Sequence, residues 1–259
     1  MNAVSKTGTV GSRNHILRRE QEKELHQLRL RFKAIRVQCL LLEFAFPERY
    51  PAKSLFISFR NYYQQTSRLR DFTVARQRFR KICLKNHIRH NGFSAWLWQG
   101  YLAEEKQMKH VSIPDIDTFE RQHRNEIPTE ELPGVISQQM KQLMEKIKAA
   151  HLAPEITGNL HWQRKQLKKL IYLNRLLTKD SSVWDETITA RLEKLDAKLG
   201  AWHDLQVLLQ FIGQFAGLHP RGHMPFWLSQ ITRAIVAEQI QILESCKTTA
   251  TKAPDLNKS

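Results

Sequence analysis

His26-Gln27-Leu28-Arg29-Leu30-Arg31-Phe32-Lys33 and His161-Trp162-Gln163-Arg164-Lys165-Gln166-Leu167-Lys168 carry one pattern, H-x-x-R-x-x-[FL]-K, at an offset of 161 − 26 = 135. A second echo follows each copy. Arg70-Asp71-Phe72-Thr73-Val74 returns as His203-Asp204-Leu205-Gln206-Val207, at an offset of 203 − 70 = 133. Two landmarks at nearly equal offsets imply two structural halves, each with one cationic helix and one [RH]-D-x-x-V helix, and internal repetition of this kind decides architecture.

Around the landmarks the apolar residues recur at spacings of three and four. Leu25, Leu28, Phe32, Ile35, Cys39 and Leu42 do so in the first half, and Leu160, Leu167, Leu170 and Leu177 in the second. That is helical periodicity, and almost no segment alternates as a strand would. The predicted helices are Asn14 to Phe46 (stopped by Pro47), Ala52 to Thr66, Arg70 to His90 (ending before Asn91-Gly92) and Phe93 to His110. A linker over 111–134, punctuated by Pro114, Pro128, Pro133 and Gly134, holds one short candidate, Asp117 to Glu126. The second half gives Val135 to Leu152, Ile156 to Thr178, Val183 to Leu199, Trp202 to Leu218 and Pro225 to Ser245. Short loops between helices make bundles. The expectation is an all-α domain over 14–246, with halves 14–110 and 135–246 built as two pseudo-symmetric antiparallel bundles. Disordered tails are expected at 1–13 and 247–259.

The chain has 259 residues, enough for a substantial core, and 41 Lys and Arg against 25 Asp and Glu, a formal charge of +16. A chain this basic repels itself unless a polyanion offsets the charge, so nucleic acid, polyphosphate or an anionic membrane surface is the expected class of partner; a merely solubilising surface is the alternative. Cys39, Cys83 and Cys246 form no C-x-x-C, which points away from a disulfide framework or zinc site and towards a reducing, cytoplasmic setting. Neither a signal-peptide core over Met1 to Ser12 nor an apolar run long enough for a membrane span is read.

On a helical wheel His26, Arg29, Lys33 and Arg36 lie within roughly 80° of one another, beside the apolar stripe. His161, Arg164 and Lys168 take the same angles in the second copy, with Lys165, Lys169 and Tyr172 on their flank. The cations therefore border the core, whereas a solvated face would more often lie opposite it and mix both signs. No acidic residue interrupts Arg29 to Arg36 or Arg164 to Lys169, and like charges at these spacings repel by on the order of a few tenths of a kcal/mol per pair. Carrying that repulsion twice, in register, suggests an external anion; the competing reading is two ordinary basic amphipathic helices. Arg offers phosphate a planar fork, Lys a mobile charge and His an N–H donor. Arg70 and His203 could face the same anion. Asp71 and Asp204 stand where helices could start and read as N-caps or dipole partners, or as groups orienting a neighbouring Arg, while Val74 and Val207 read as core.

Together these residues resemble the CHAD family, the conserved histidine α-helical domain. Its pattern joins a basic helix, H-x-x-R-x-x-x-[RK]-x-x-R, to a later L-G-x-x-[RH]-D-x-x-V segment, and repeats the pair. The first half supplies His26, Arg29, Lys33 and Arg36, then Ser67 to Val74. The second supplies His161, Arg164, Lys165, Lys168, Lys169 and Tyr172, then Leu199-Gly200 to Val207. Ile171 stands where the pattern has Arg, and Ser67 where it has Gly. The resemblance covers roughly Glu20 to Ser245. It implies two helical bundles with pseudo-two-fold symmetry around a basic central groove or pore that binds inorganic polyphosphate, and an association with polyphosphate granules in bacteria. The cationic stripes hold no carboxylate for Mg²⁺, so the expectation is binding without catalysis, cofactor or metal. The implied site is His26, Arg29, Lys33, Arg36, Arg70, His161, Arg164, Lys165, Lys168, Lys169, Tyr172 and His203.

Two rivals remain at this level. Net charge, six Trp and the cluster Arg76, Arg78, Arg80 and Lys81 suit a nucleic-acid binder, and weak cross-binding at low salt is expected in any case. A polyphosphate or triphosphate hydrolase is the other. Some CHAD relatives carry a separate CYTH-type triphosphate-cleaving domain, but its E-x-E-x-K motif is missing, since Glu20-Gln21-Glu22-Lys23-Glu24 reads as helix. His87 and His90 are spaced i, i+3 without a nearby carboxylate or Cys, so they read as surface or phosphate-facing groups. His219 to His223 read as a turn, and Trp96, Trp98, Trp202 and Trp227 as core and bundle contacts. Whether Lys81, Lys85 and Arg89 extend the groove is open.

Overall fold

Helical periodicity carries through to the three-dimensional structure, a computed structural model that describes residues 9–51, 56–88, 92–123, 126–128, 130–151, 156–177, 184, 186–218 and 225–251. Among them are eight helices and no strand. They are α1 (Thr9–Ala45), α2 (Ile57–Lys85), α3 (Gly92–Met108), α4 (Ile116–His123), α5 (Leu132–His151), α6 (Ile156–Leu176), α7 (Glu186–Gly217) and α8 (Phe226–Thr251). No helix among the described residues is long and apolar enough to cross a membrane.

Two expected breaks are absent. The polar stretch between Thr66 and Arg70 lies inside α2, because the Thr66 and Ser67 hydroxyls donate back to the Tyr63 carbonyl at 2.9 and 2.8 Å instead of breaking the helix. Gly200 likewise sits inside α7, where tertiary packing overrides its weak helix propensity. Asp71 and Asp204 are thus interior residues, which excludes the N-cap reading. Pro133 and Gly134, expected in the linker, occupy the first turn of α5, where a missing N–H is harmless.

The ends of α2 and of the chain also shift. α2 stops at Lys85 rather than His90: His87 takes φ 55°, and the Ile88 N–H donates to the Cys83 carbonyl at 2.9 Å, closing a Schellman-type end. α1 and α8 each reach about a turn into the expected tails, whose remaining residues, 1–8 and 252–259, lie outside the described residues. So do Arg89, His90 and the predicted turn over His219 to His223.

Among the described residues four apolar clusters hold the helices. The largest joins Ala75, Phe79 and Ile82 of α2 to Phe93 and Leu97 of α3, Leu205, Leu208 and Ile212 of α7, and Leu228, Ile231 and Ile235 of α8. Trp96 and Trp227 pack against it. Phe32, Ile35 and Cys39 of α1 meet Phe59 and Tyr62 of α2 and Ile116 and Phe119 of α4 in a second. Val37 and Leu41, on another face of α1, meet α5 and α6 through Ile136, Met140, Leu170 and Leu173. The fourth joins Leu160, Leu167 and Ile171 of α6 to Leu199 of α7 and Cys246 of α8, with Trp202 against it. The first and third clusters draw on both sequence halves, so the core is shared between them.

That sharing positions the site. α1 and α6, the two cationic helices, are each buried on two flanks, and their remaining faces turn towards one another beside α2 and α7. Helix α4 braces the outside of α1: Arg31 donates to Asp117 at 2.6 Å and to Glu120 at 3.0 Å. At Gly100 of α3 the backbone rides against the Phe72 ring so closely that a β-carbon would enter the ring's van der Waals envelope.

Candidate functional site

Where α1 and α6 face each other, a cavity of about 550 Å³ opens. Arg29, Lys33 and Arg36 enter it from α1, Arg70 from α2, Arg164, Lys165, Lys168 and Lys169 from α6, and His203 from α7. His161 and Tyr172 of α6 complete the set of predicted residues it unites. His26 is not in it. That side chain is exposed and does not line the cavity. The matched histidines therefore do not form a pair. His161 is instead beside His203, with ring centroids 5.1 Å apart. Lys81 and Lys85 are exposed and do not line the cavity.

Each half anchors its arginine differently at the same place in the repeat. Arg29 is buried and donates to Thr66 Oγ1 at 3.1 Å and Ser67 Oγ at 2.9 Å, with its guanidinium 5.0 Å from the centre of the Tyr63 ring. Arg164 packs over Gly200, where a β-carbon would lie 3.2 Å from Nη2, and its Nε stands 3.6 Å from Asp196 Oδ1. Since 196 − 133 = 63 and 200 − 133 = 67, the Asp196 and Gly200 positions of one half are the Tyr63 and Ser67 positions of the other. Tyr63, Ser67 and Gln166 line the cavity without having been singled out as ligands. The register of the repeat was the signal that could have found the first two.

The repeated Asp residues act here on arginines. Arg70 donates to Asp204 at 2.9 Å across the two halves and to its neighbour Asp71 at 3.3 Å. Arg78 closes on the other oxygen of Asp204 at 3.7 Å. The carboxylates orient arginines, one of the alternatives open from sequence. Val207 is buried as expected, and Val74 is half-buried.

Positive charge dominates the electrostatics. Eight Lys and Arg line the cavity against the single carboxylate of Asp71 among the described lining residues. Counting Asp196 and Asp204 behind them, the surplus is still 8 − 3 = 5. Burial depresses the Lys33 ammonium to about 8, and Lys168, then Arg29, Arg70 and Arg164, add to the effect. Lys168 is depressed by burial and then by Arg164, and Lys169 by burial and then by Arg36. His203 is pushed down to about 4 by burial, then by Arg164 and His161. His161 moves down too, through burial and then Lys165. At neutral pH the two imidazoles are therefore neutral hydrogen-bonding groups. Asp71 moves up through burial, opposed by Arg70.

A second cavity of about 240 Å³ shares Lys33, Lys168 and Tyr172 with the first and continues past them to Arg175, Glu193 and Asp196. Both tyrosine rings near the site are engaged by guanidinium groups, Tyr63 by Arg29 and Tyr172 by Arg175 at 5.7 Å. No group of three or more His, Cys, Asp or Glu that could hold a metal ion occurs among the described residues. Chemically, the cavity is a concave, half-dehydrated array of donors and cations whose carboxylates are already occupied by arginines.

The family model described as the CHAD domain matches residues 11–213, most of the chain. Neither the curated proteins nor the solved structures give a match to it.

Proposed function

This chain belongs to the CHAD domain family, and from that premise we propose that it binds inorganic polyphosphate in the cavity between α1 and α6, as a binder rather than an enzyme, at polyphosphate granules. One observation carries the reading: equivalent lysines of the two repeats, Lys33 and Lys168, sit so close in one half-dehydrated cavity that Lys168 is the leading charge acting on Lys33. Burial of unpaired like charges is unfavourable unless an anion compensates them. The ligand-free protein tolerates that arrangement, and a polyphosphate chain, one negative charge per unit along its length, relieves it.

The lining also favours phosphate without a base. Single-stranded nucleic-acid binders combine a basic groove with free aromatic faces for stacking. Here Tyr63 and Tyr172 already carry guanidinium groups. Phosphoryl transfer draws on carboxylates to hold magnesium, and Asp71, Asp196 and Asp204 are committed to Arg70, Arg164 and Arg78. Both points support binding over turnover.

The test is a titration with polyphosphate over a salt series. If all eight lining cations engage, the slope of log K against log salt is about −6, and affinity falls roughly 4,000-fold between about 50 and 200 mM salt. Neutralising Lys33, Lys165 and Lys168 with Gln should flatten the slope by about 2. These positions are better chosen than Arg29 or Arg164, whose hydrogen bonds and ion pair also hold helices together. Polyphosphate should displace an oligonucleotide of equal charge, and no orthophosphate should appear with Mg²⁺ or Mn²⁺. An unchanged slope in the triple variant would remove the cavity from the binding reaction.

A further inference from the structure

We propose that Lys33 is a modification site: a nucleophilic amine within the anion cavity that accepts the acyl group of small acyl phosphates. The inference shares with the proposed function the premise that the cavity takes phosphate anions, but it does not depend on a polymer.

Among the described lysines Lys33 and Lys168 line both cavities. The carboxylates of Asp196 and Asp204 act on Lys168, whereas the leading charges around Lys33 are all cations. Cations face it from its own helix (Arg29), from α2 (Arg70) and from α6 (Arg164 and Lys168). The carboxylates nearby are taken: Asp71 by Arg70 at 3.3 Å, Glu193 by Arg175 at 2.6 Å and Asp196 by Arg164 at 3.6 Å. Among the described residues none forms an ion pair with Lys33. A lysine that is partly desolvated and ringed by cations is held towards its neutral, nucleophilic form, a recognised way of activating an amine. With the ammonium at about 8, roughly a quarter of Lys33 is free amine at about pH 7.5, against roughly one in a thousand for an ordinary lysine.

The same cations choose the electrophile. A small acyl phosphate is a dianion with a reactive carbonyl next to its phosphate, so the cavity concentrates it where a neutral ester gains nothing. The Lys33 Nζ lone pair attacks the acyl carbon, a C–N bond forms, and the bond from acyl carbon to bridging oxygen breaks. Phosphate leaves with that electron pair, and the nitrogen loses its proton to water, leaving a neutral amide and orthophosphate. No oxidant or further reactant is required. The amide deletes one charge from the cavity, so the modified protein holds polyanions less tightly. A bound polyanion, in turn, occludes the amine and returns it to the ammonium form.

The experiment incubates the full chain with acetyl phosphate at low salt and quantifies acetylation at each lysine by peptide mass spectrometry. Lys33 should acetylate tenfold or more faster than the exposed Lys81, Lys85 and Lys141. Tripolyphosphate should protect Lys33 and leave those three unchanged. Lys168→Met, which removes the leading charge beside Lys33, should slow the reaction at Lys33 severalfold, and circular dichroism confirms that the variant is folded. Acetylation of Lys33 no faster than at the exposed lysines, or undiminished by tripolyphosphate, overturns the inference. Fast, protectable acetylation in a protein that fails to bind long polyphosphate would uphold it while rejecting the polymer reading.

Discussion

Replacing Lys33 with Met should stabilise the empty protein, and the gain should shrink when polyphosphate is bound. Methionine keeps most of the length of the lysine stem and discards the charge. Lys33 is held at about 8 against an ordinary value of 10.5, so the folded state resists its protonation by 2.5 pH units, about 3 kcal/mol at 1.36 kcal/mol per unit. The sign follows from proton counting. Between about pH 8 and 10.5 the unfolded chain binds this proton and the folded chain does not, so stability rises with pH across that window. Below about 8 the whole penalty is present; above 10.5 it is gone. Because part of the lysine reaches solvent, the recoverable gain is about 1 to 3 kcal/mol. In a chain of this length that corresponds to a rise of roughly 3 to 10 °C in Tm near neutral pH. Thermal unfolding of both proteins from about pH 7 to 10.5 measures it, and the Tm difference should shrink towards zero at the alkaline end. With saturating polyphosphate the gain shrinks. Loss of one charged contact, about tenfold in affinity, removes about 1.4 kcal/mol of ligand-induced stabilisation. A variant less stable than the parent when empty, or a Tm difference that stays constant with pH, would refute the idea that the cavity carries an uncompensated charge.

Three further outcomes follow from local geometry. Gly100→Ala forces a methyl into the Phe72 ring and should destabilise the protein by about 1 to 3 kcal/mol in urea unfolding, despite the better helix propensity of Ala. Gly200→Ala meets only the flexible end of Arg164, so stability should change by less than about 1 kcal/mol while polyphosphate affinity drops severalfold through the displaced guanidinium, as equilibrium titration would register. His87→Gly relieves the left-handed backbone at the end of α2 and should raise stability by about 0.5 to 1 kcal/mol, read as a higher urea midpoint at unchanged m-value.

How far the sequence could be read depended on whether a feature repeats. The wheel positions of Arg29, Lys33, Arg164 and Lys168 were legible because a cationic edge beside an apolar stripe has one geometric meaning on a helix, and they do share a cavity. His26 shows the limit of the same reasoning. The repeat makes it equivalent to His161, but what surrounds an equivalent position is set by the facing helix. His161 meets His203 of α7, whereas the His203 position of the other half is Arg70, which reaches across to Asp204 instead. Local polarity misled in the same way. Thr66, Ser67 and Gly200 look like helix breaks until their tertiary partners are seen; the hydroxyls receive Arg29 and the bare α-carbon makes room for Arg164.

The differences between the copies give the cavity a direction. On the α1 side Arg29 is held by two hydroxyls and a tyrosine ring, groups with no formal charge. On the α6 side Arg164 stands against Asp196, which neutralises part of its field. The direct partners of Arg29 therefore cancel less of its field than Asp196 cancels of Arg164's, while α6 offsets this by contributing four lining cations to the three of α1. Two binding helices descended from one pattern need not contribute equally to an anion between them. The identity of the residue at one repeat position, Tyr63 or Asp196, decides how much of each arginine's charge remains available to the ligand.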